Sequence, residues 1–487
     1  MKGKAYLIGA GPLDEELLTL KAKRILEKCT AVVYDRLVST NVLNFLNDDC
    51  EIYYCGKKPN AHSMKQEEIN ELLVSLVKKG HIVGRIKGGD PYVFGRGGEE
   101  ALALLDEGLE FEVIPGVTSP ISVLNYAGIP ITHRGISQSF HIVTGMSAKS
   151  LNVNFEALSK ENGTLVFMMG LENIDIITSE LIKYGKDKNT KSAVVMKGTS
   201  SKQKKVIGTL ENIGSLAKEA KLESPCIIVV GDVVSLNENL DWFIKKPLFG
   251  KNICITRSKE QSKNLKASLK DMGAYVTEIN SIKINSMKEN LDTYLEKLKE
   301  YNHLIFTSIN GVNIFFDYLI EKEYDIRSIK GNFYAIGSAT KKALLKRGIV
   351  PKATSKSFIS EGLFKEIKPF ILEGDNVIIP TSLKGRTYLQ EEISKIGARV
   401  DRVNIYDTVK GDVYDTRSFE DVDIVLYTSP TTVENMIEII GLDKLKEKEA
   451  IAIGPITAKA LIDHGFSPKV CKKHSEEGFL EEIVNLI

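Results

Sequence analysis

Gly88-Gly89-Asp90-Pro91-Tyr92-Val93-Phe94-Gly95-Arg96-Gly97-Gly98-Glu99-Glu100 places five glycines within thirteen residues, directly after the apolar run 82–86. Glycine at this density lets backbone approach a ligand closely, and Asp90 in the loop can accept from a ribose hydroxyl or a cation. The surroundings share this build: Gly9-Ala10-Gly11-Pro12 follows the run 5–8, and Pro115-Gly116-Val117-Thr118-Ser119 follows 111–114. Together with 31–34 and 164–168 these runs read as core strands, separated by helix-period segments. Residues 14–28 are predicted as one helix. Leu17, Leu18, Ala22, Ile25 and Leu26 share a face, with Asp14, Glu15 and Glu16 in the first turn and Lys21, Lys23, Arg24 and Lys28 towards the end. Such alternation predicts α/β layers, with a small-molecule site where strand ends carry Gly, Asp, Thr and Ser. The dinucleotide fingerprint G-x-G-x-x-G is not met, because Asp14 replaces its third glycine and Pro12 removes an N–H that a pyrophosphate needs. A nicotinamide or flavin site is therefore not expected.

The chain of 487 residues exceeds one compact core and points to several domains. Lys and Arg (65) nearly cancel Asp and Glu (64), so no whole-chain field favours nucleic acid or an anionic membrane. Apolar runs such as 226–230 fall far short of the roughly 20 residues of a membrane span, and the start carries no secretory or transit pattern. A cytoplasmic protein is expected. Its six cysteines (Cys29, Cys50, Cys55, Cys226, Cys254, Cys471) are scattered, with no CxxC pair and no nearby histidine, so no metal site is expected.

Residues 237–250 lack periodicity and carry Pro247, Gly250 and the only tryptophan, Trp242, which suggests a linker docked on a domain. Beyond it the chain repeats. Ala335-Ile336-Gly337-Ser338-Ala339-Thr340-Lys341-Lys342-Ala343-Leu344 matches Ala452-Ile453-Gly454-Pro455-Ile456-Thr457-Ala458-Lys459-Ala460-Leu461, and Gly348 and Pro351 answer Gly465 and Pro468. Phe306-Thr307-Ser308 matches Tyr427-Thr428-Ser429, and Ile255…Leu265…Gly273-Ala274 matches Ile379…Leu389…Gly397-Ala398. Two similar α/β lobes follow, and a duplicated pair usually leaves a cleft.

The first part of the chain resembles the tetrapyrrole methyltransferase family, and within it the uroporphyrinogen-III C-methyltransferases. The resemblance rests on Gly9–Pro12 and the Gly88, Pro115 and Ala127-Gly128-Ile129-Pro130-Ile131-Thr132-His133-Arg134 strings. Tyr34-Asp35-Arg36-Leu37-Val38-Ser39, Met168-Met169-Gly170 and Lys197-Gly198-Thr199 with Gln203 complete it. It implies a two-lobed α/β domain over residues 1–236, usually dimeric. S-Adenosyl-L-methionine would be the co-substrate and S-adenosyl-L-homocysteine the product. The implied cofactor contacts are Pro12, Gly88, Gly89, Asp90, Val93, Thr118, Ser119, Met169 and Gly198. Asp35 is implied as general base and Lys57 as proton donor, with Arg36, His133 and Arg134 near the substrate. Read from the residues alone, Asp35 is an N-cap after strand 31–34, Lys57 an exposed lysine beside Lys58, and Met169 a core methionine. One departure stands out: the family continues Gly11-Pro12 with glycine, and here Leu13 follows.

Residues 250–487, after a linker at 237–249, resemble uroporphyrinogen-III synthase through Ile255-Thr256-Arg257, Phe306-Thr307-Ser308, Val403-Asn404-Ile405-Tyr406-Asp407-Thr408, Tyr427-Thr428-Ser429-Pro430 and Ile453-Gly454-Pro455-Ile456-Thr457-Ala458. The resemblance implies two flavodoxin-like lobes, one of about 250–284 plus 412–487 and one of about 290–405. The implied reaction cyclises hydroxymethylbilane: water leaves, a spiro intermediate forms, and ring D is inverted on closure. A cleft that curls the chain and binds its carboxylates suits this better than a strong acid. The candidates are Arg257, Thr307, Ser308, Lys384, Tyr406, Thr428, Ser429 and Thr457, with Tyr406 foremost for assisting hydroxide departure. N-capping is the plain alternative for the Thr and Ser residues, and a half-buried strand tyrosine for Tyr406. The whole then makes uroporphyrinogen III and methylates it twice to precorrin-2, for sirohaem or corrinoid synthesis. Two rivals stay open: a non-catalytic tetrapyrrole-binding module at the C-terminal end, or another corrin intermediate as methyl acceptor.

Overall fold

Short Val-, Ile- and Ala-rich runs bounded by turn residues become strands β1 (Lys4–Gly9), β2 (Ala31–Tyr34), β3 (Glu51–Tyr54), β4 (Ile82–Lys87) and β5 (Phe111–Ile114). In the computed structural model, which describes residues 3–56, 64–146, 153–257, 259–355, 360–411, 413 and 415–486, they form one parallel sheet in the order β3-β2-β4-β1-β5. Leu7, Ile8, Val32, Val33 and Val83 are completely buried, as a sheet covered on both faces requires. A second sheet is mixed. It comprises β6 (Phe140–Thr144), β7 (Thr164–Met168), β8 (Lys191–Met196), β9 (Lys204–Thr209) and β10 (Cys226–Val230), in the order β6-β7-β10-β8-β9.

A third sheet draws strands from two distant segments: Asn252–Ile255 and Tyr275–Glu278, then Ile424–Tyr427, Glu449–Ala452 and Lys469–Val470. All are parallel, and their chain order across the sheet is 2-1-3-4-5, the flavodoxin-like arrangement. The fourth sheet contains His303–Phe306, Asn332–Ile336, Ala353–Ser355, Asn376–Ser382 and Arg399–Lys410, with Ile282–Ser286 antiparallel at one edge. Its parallel strands run 3-2-1-4-5. When each strand is matched to its partner in the internal repeat, the two spatial orders become identical. The chain enters the same design at different strands. The chain divides into two compact units, Met1–Ile279 with Tyr414–Val433 and Ile440–Ile487, and Asn280–Val413 with Glu434–Ile439. The first three sheets belong to the first unit and the fourth sheet to the second.

The residues after helix Asn237–Leu240 are docked rather than free. The Trp242 indole N–H donates to the Asn125 carbonyl at 3.1 Å, and the rings of Trp242 and Phe243 lie 5.3 and 4.8 Å from that of Tyr126. All six cysteines are free and buried. Among the described residues no helix is long and apolar enough to cross a membrane, and no cluster of metal-binding side chains occurs.

The single helix expected over 14–28 is two shorter pieces. Asp14 caps a 3-10 turn at Glu15–Leu17, Leu18 is extended, and the Thr19 hydroxyl accepts from Ala22 N–H at 3.1 Å to start a new helix, Leu20–Leu26. The periodicity was real, but a mid-segment threonine captured the backbone. The break also turns Glu15 inward, where it is 3% exposed. Burial alone would raise its carboxyl pKa, yet Lys266 and Lys270 reverse this and bring it down from 4.5 to about 2. A depressed carboxylate stabilises the fold above its ordinary pKa and loses that contribution as pH falls towards the folded value. Stability measured by urea unfolding should therefore decline between about pH 4.5 and 2, and Glu15→Gln should flatten that part of the profile.

Candidate active site

The ends of β1, β4 and β5 meet almost without side chains. Gly11 and Gly89 form an isolated bridge, with N–H to carbonyl distances of 3.2 and 2.8 Å. A methyl group added to Gly116 would lie 2.2 Å from the Gly89 carbonyl oxygen, so only glycine permits this approach. Asp90 organises the junction: its carboxylate accepts from Tyr92 N–H at 2.8 Å and Gly116 N–H at 3.0 Å, joining the two glycine loops. Beside the junction lies a cavity of about 620 Å³. Of the expected cofactor contacts, Pro12, Gly88, Gly89, Val93, Ser119, Met169 and Gly198 line it, together with Asp35 and Arg36. Asp90 and Thr118 are not among the lining residues. His133 and Arg134 lie on an exposed turn away from the cavity lining, and Lys57 falls outside the described residues.

Several walls rest on left-handed backbone. Leu13, Phe94, Arg96, Met169 and Lys197 line the cavity with φ between 46° and 59°, and Thr199, next to Gly198, has φ 70°. Each such residue costs about 1 kcal/mol relative to right-handed backbone, and such strain gathers at ligand sites. Leu13 thus adopts the conformation that the family's glycine would take without strain. Its turn is held by Thr199, whose hydroxyl donates to the Pro12 carbonyl. Met169 is 41% exposed and faces the cavity, which removes the core-methionine reading.

Part of the cavity lining, at Asp35, Arg85 and Lys87, belongs to a buried charge network that sequence reading missed. Arg85 donates from Nε to Glu100 at 2.9 Å, from Nη1 to the Ile86 carbonyl at 2.9 Å and from Nη2 to Asp35 at 3.2 Å. Lys87 donates to the same Glu100 oxygen at 2.8 Å. Burial pulls the Arg85 pKa down, but Glu100 and Asp35 outweigh it and leave it raised. For Lys87 burial dominates, the Arg85 charge adds to it, and the ammonium pKa is lowered despite Glu100. The missed signal was two basic residues at i and i+2 in an otherwise apolar core strand, since alternate strand positions share one face. Asp35 caps no helix, because the next one, Thr40–Phe45, starts after Ser39. Oδ1 accepts from Leu37 N–H at 3.0 Å and shapes the turn, while Oδ2 is aimed by Arg85.

The synthase-like candidates group within each unit. In the second unit the Ser308 hydroxyl accepts from Gly311 N–H at 3.0 Å, capping helix Ile309–Glu321, and lies 2.7 Å from the Tyr406 hydroxyl. Thr307 reaches Thr381 at 3.3 Å, and Lys384 is largely exposed, 4.0 Å from Asp407. Tyr406 is buried among Val312, Phe315 and Ile405; burial raises its pKa and the Ser308 hydrogen bond opposes this. In the first unit Ser429 accepts from Thr432 N–H at 3.2 Å and Thr432 from Thr428 N–H at 3.3 Å. Thr457 is buried in the first turn of helix Pro455–Asp463. Arg257 stands 3.7 Å from Glu476; burial lowers its pKa and Glu476 works against that shift.

Comparison with known proteins separates the chain into the same two successive parts as the two resemblances. The family model for tetrapyrrole (corrin/porphyrin) methylases matches residues 4–214, and that for uroporphyrinogen-III synthase matches 263–481. A porphyrin biosynthesis protein HemD of Ruminiclostridium josui is 35% identical, over 99% of this chain and 98% of its own. A uroporphyrinogen-III C-methyltransferase of Bacillus subtilis is 41% identical, over 72% of this chain and 73% of its own. An S-adenosyl-L-methionine-dependent uroporphyrinogen III methyltransferase of Methanosarcina barkeri is 47% identical, over 49% of this chain and 94% of its own. A relative that aligns from end to end, and two family models that share the chain between them, lead to one conclusion: this chain belongs to the porphyrin-biosynthesis family that joins a tetrapyrrole methylase to a uroporphyrinogen-III synthase.

Proposed function

We propose that this protein closes hydroxymethylbilane to uroporphyrinogen III, inverting ring D, and then methylates the product at C2 and C7 to give precorrin-2. The observation that carries the methyl-transfer step is the single cavity that gathers seven expected cofactor contacts with Asp35 and Arg36. The cavity fits S-adenosyl-L-methionine in kind. Its glycine junction admits a ligand against bare backbone, while Val93, Val123, Met169, Val195 and Ile227 offer apolar walls. When bound, that co-substrate supplies a methyl group already activated on sulfonium, and S-adenosyl-L-homocysteine remains. The chain's own task is alignment and proton removal. Asp35, oriented on one oxygen by Leu37 N–H and on the other by Arg85, takes the proton that the methylated ring sheds. Arg36 attracts the acceptor's carboxylates, and Lys57 donates a proton where a tautomer requires one. His133 and Arg134 meet the outer rim of a substrate larger than the cavity. The protein acts as a homodimer through its methylase half, in the cytoplasm, without a metal.

In the synthase half, hydroxyls and helix N-termini bind the carboxylates of the linear substrate. Ser308 lies 2.7 Å from the Tyr406 hydroxyl and orients it, so Tyr406 can protonate the departing hydroxyl and take back the proton that the ring carbon sheds on closure. Thr307 and Lys384 in the second unit, and Arg257, Thr428, Ser429 and Thr457 in the first, supply such carboxylate contacts, each within its own unit.

Given hydroxymethylbilane alone, the purified protein should yield the type III isomer; formation of only the spontaneous type I isomer would sink the synthase reading. Adding S-adenosyl-L-methionine should yield a dimethylated product, identified by mass spectrometry. Asp35→Asn should keep the turn, slow methylation roughly hundredfold and leave cyclisation unchanged. Tyr406→Phe should do the opposite, slowing cyclisation about tenfold and sparing methylation of supplied uroporphyrinogen III. Equal loss of both activities in either variant would contradict this division of labour.

A further inference from the structure

Two pieces of the methyl-transfer cavity are held from outside it, within the first compact unit. Asp14 and Glu15 directly follow Pro12 and Leu13, and both carboxylates meet lysines of the helix Lys259–Asp271. Lys270 Nζ lies 2.7 Å from Asp14 Oδ1 and 2.9 Å from Glu15 Oε1, and Lys266 Nζ lies 2.7 Å from the same Glu15 oxygen. The Glu15 side chain is 1% exposed and that of Lys270 9%, so solvent does not screen the pair. The other oxygen of Asp14 accepts from the Tyr126 hydroxyl at 2.9 Å. The second grip is at Asp35. The Tyr34 hydroxyl donates to Asp415 at 2.8 Å, and Arg417 Nε donates to both Asp415 oxygens at 2.9 Å. The Arg417 guanidinium lies 3.9 Å from the centroid of the Tyr54 ring, one residue before cavity-lining Cys55. Between the two grips the Asn41 side chain donates to the Val276 carbonyl at 2.6 Å and accepts from Glu278 N–H at 3.2 Å. It thereby occupies the edge of strand Tyr275–Glu278.

We propose that the synthase half is a working part of the methyl-transfer site: Lys266 and Lys270 are positioning residues for the turn at Pro12 and Leu13, and Asp415 and Arg417 for the strand end that carries Asp35. This rests on the methyl-transfer reading above. Leu13 holds φ 54°, which a leucine leaves when nothing restrains it, and the doubly anchored Asp14 is the next residue. Loosening the lysines frees a wall of the cofactor cavity. Loosening Arg417 frees Tyr34 and Tyr54, next to Asp35 and Cys55, and leaves the wall at Pro12 and Leu13 alone. The two grips therefore act on different constants.

In the full chain, Lys270→Met should raise the dissociation constant for S-adenosyl-L-homocysteine, measured by calorimetry, about tenfold. Arg417→Leu should instead lower kcat for methylation of supplied uroporphyrinogen III about tenfold, with that dissociation constant within about twofold of the parent. Arg417→Lys should recover most of the loss, and each variant should cyclise hydroxymethylbilane at the parent rate. Parent-like methylation and binding in both variants would overturn the proposal and leave methyl transfer by the chain intact. Joint loss of cyclisation and methylation in Arg417→Leu overturns it as well, since that is a folding effect; where only Lys270→Met loses cyclisation, the Arg417 pair decides. A parent chain that methylates nothing removes the underlying reading itself.

Discussion

Arg85 is a guanidinium placed inside a parallel sheet, where an unpaired charge would be prohibitively costly. It is tolerated because each nitrogen of its planar group finds an acceptor: Glu100, the Ile86 carbonyl and Asp35. Those partners are far apart in sequence and belong to different parts of the site. Glu100 is in the helix that the glycine loop feeds, and Asp35 ends the neighbouring strand. Satisfying one buried cation therefore sets the position of helix Gly97–Asp106, the course of the loop before it and the direction of the Asp35 carboxylate. Lys87, two residues on, completes the same constraint through Glu100.

Backbone shape supplies the second constraint. The glycines at the strand ends bring three main chains closer than any side chain would allow. Around them, leucine, phenylalanine, methionine and lysine are forced into a region that glycine visits freely. A fold keeps such residues only where surrounding bonds over-determine them, as Thr199 does at Pro12. A preformed cavity is the return, so little reorganisation is left for the moment of binding.

The second half solves a different chemical problem with plainer means. Its hydroxyls sit at helix starts, where capping and ligand binding use the same geometry. Ser308 illustrates this: one oxygen both closes a helix and touches the Tyr406 hydroxyl. The duplicated design and its shifted point of entry explain how one sheet is assembled from segments about 150 residues apart in the chain.

Much was legible from the chain alone. Five core strands, the glycine loops, the internal repeat and the docked tryptophan could be read because each is governed by local periodicity, turn chemistry or self-similarity. Seven of the nine expected cofactor contacts line one cavity, and their motifs could be read because each is contiguous. Other features belonged to the tertiary structure. Asp90 joins two glycine loops because a carboxylate's partner is chosen by whichever N–H folding brings near. The predicted helix split at Thr19 because a side-chain cap competed with a pattern that periodicity alone had favoured. Arg85, Lys87 and Glu100 read as incidental charges in a strand and a helix, and only burial makes their pairing compulsory. The grip of Lys266, Lys270 and Arg417 on the methylase loops joins residues hundreds of positions apart. No local rule encodes it, since its strength comes from the exclusion of water that the assembled fold creates.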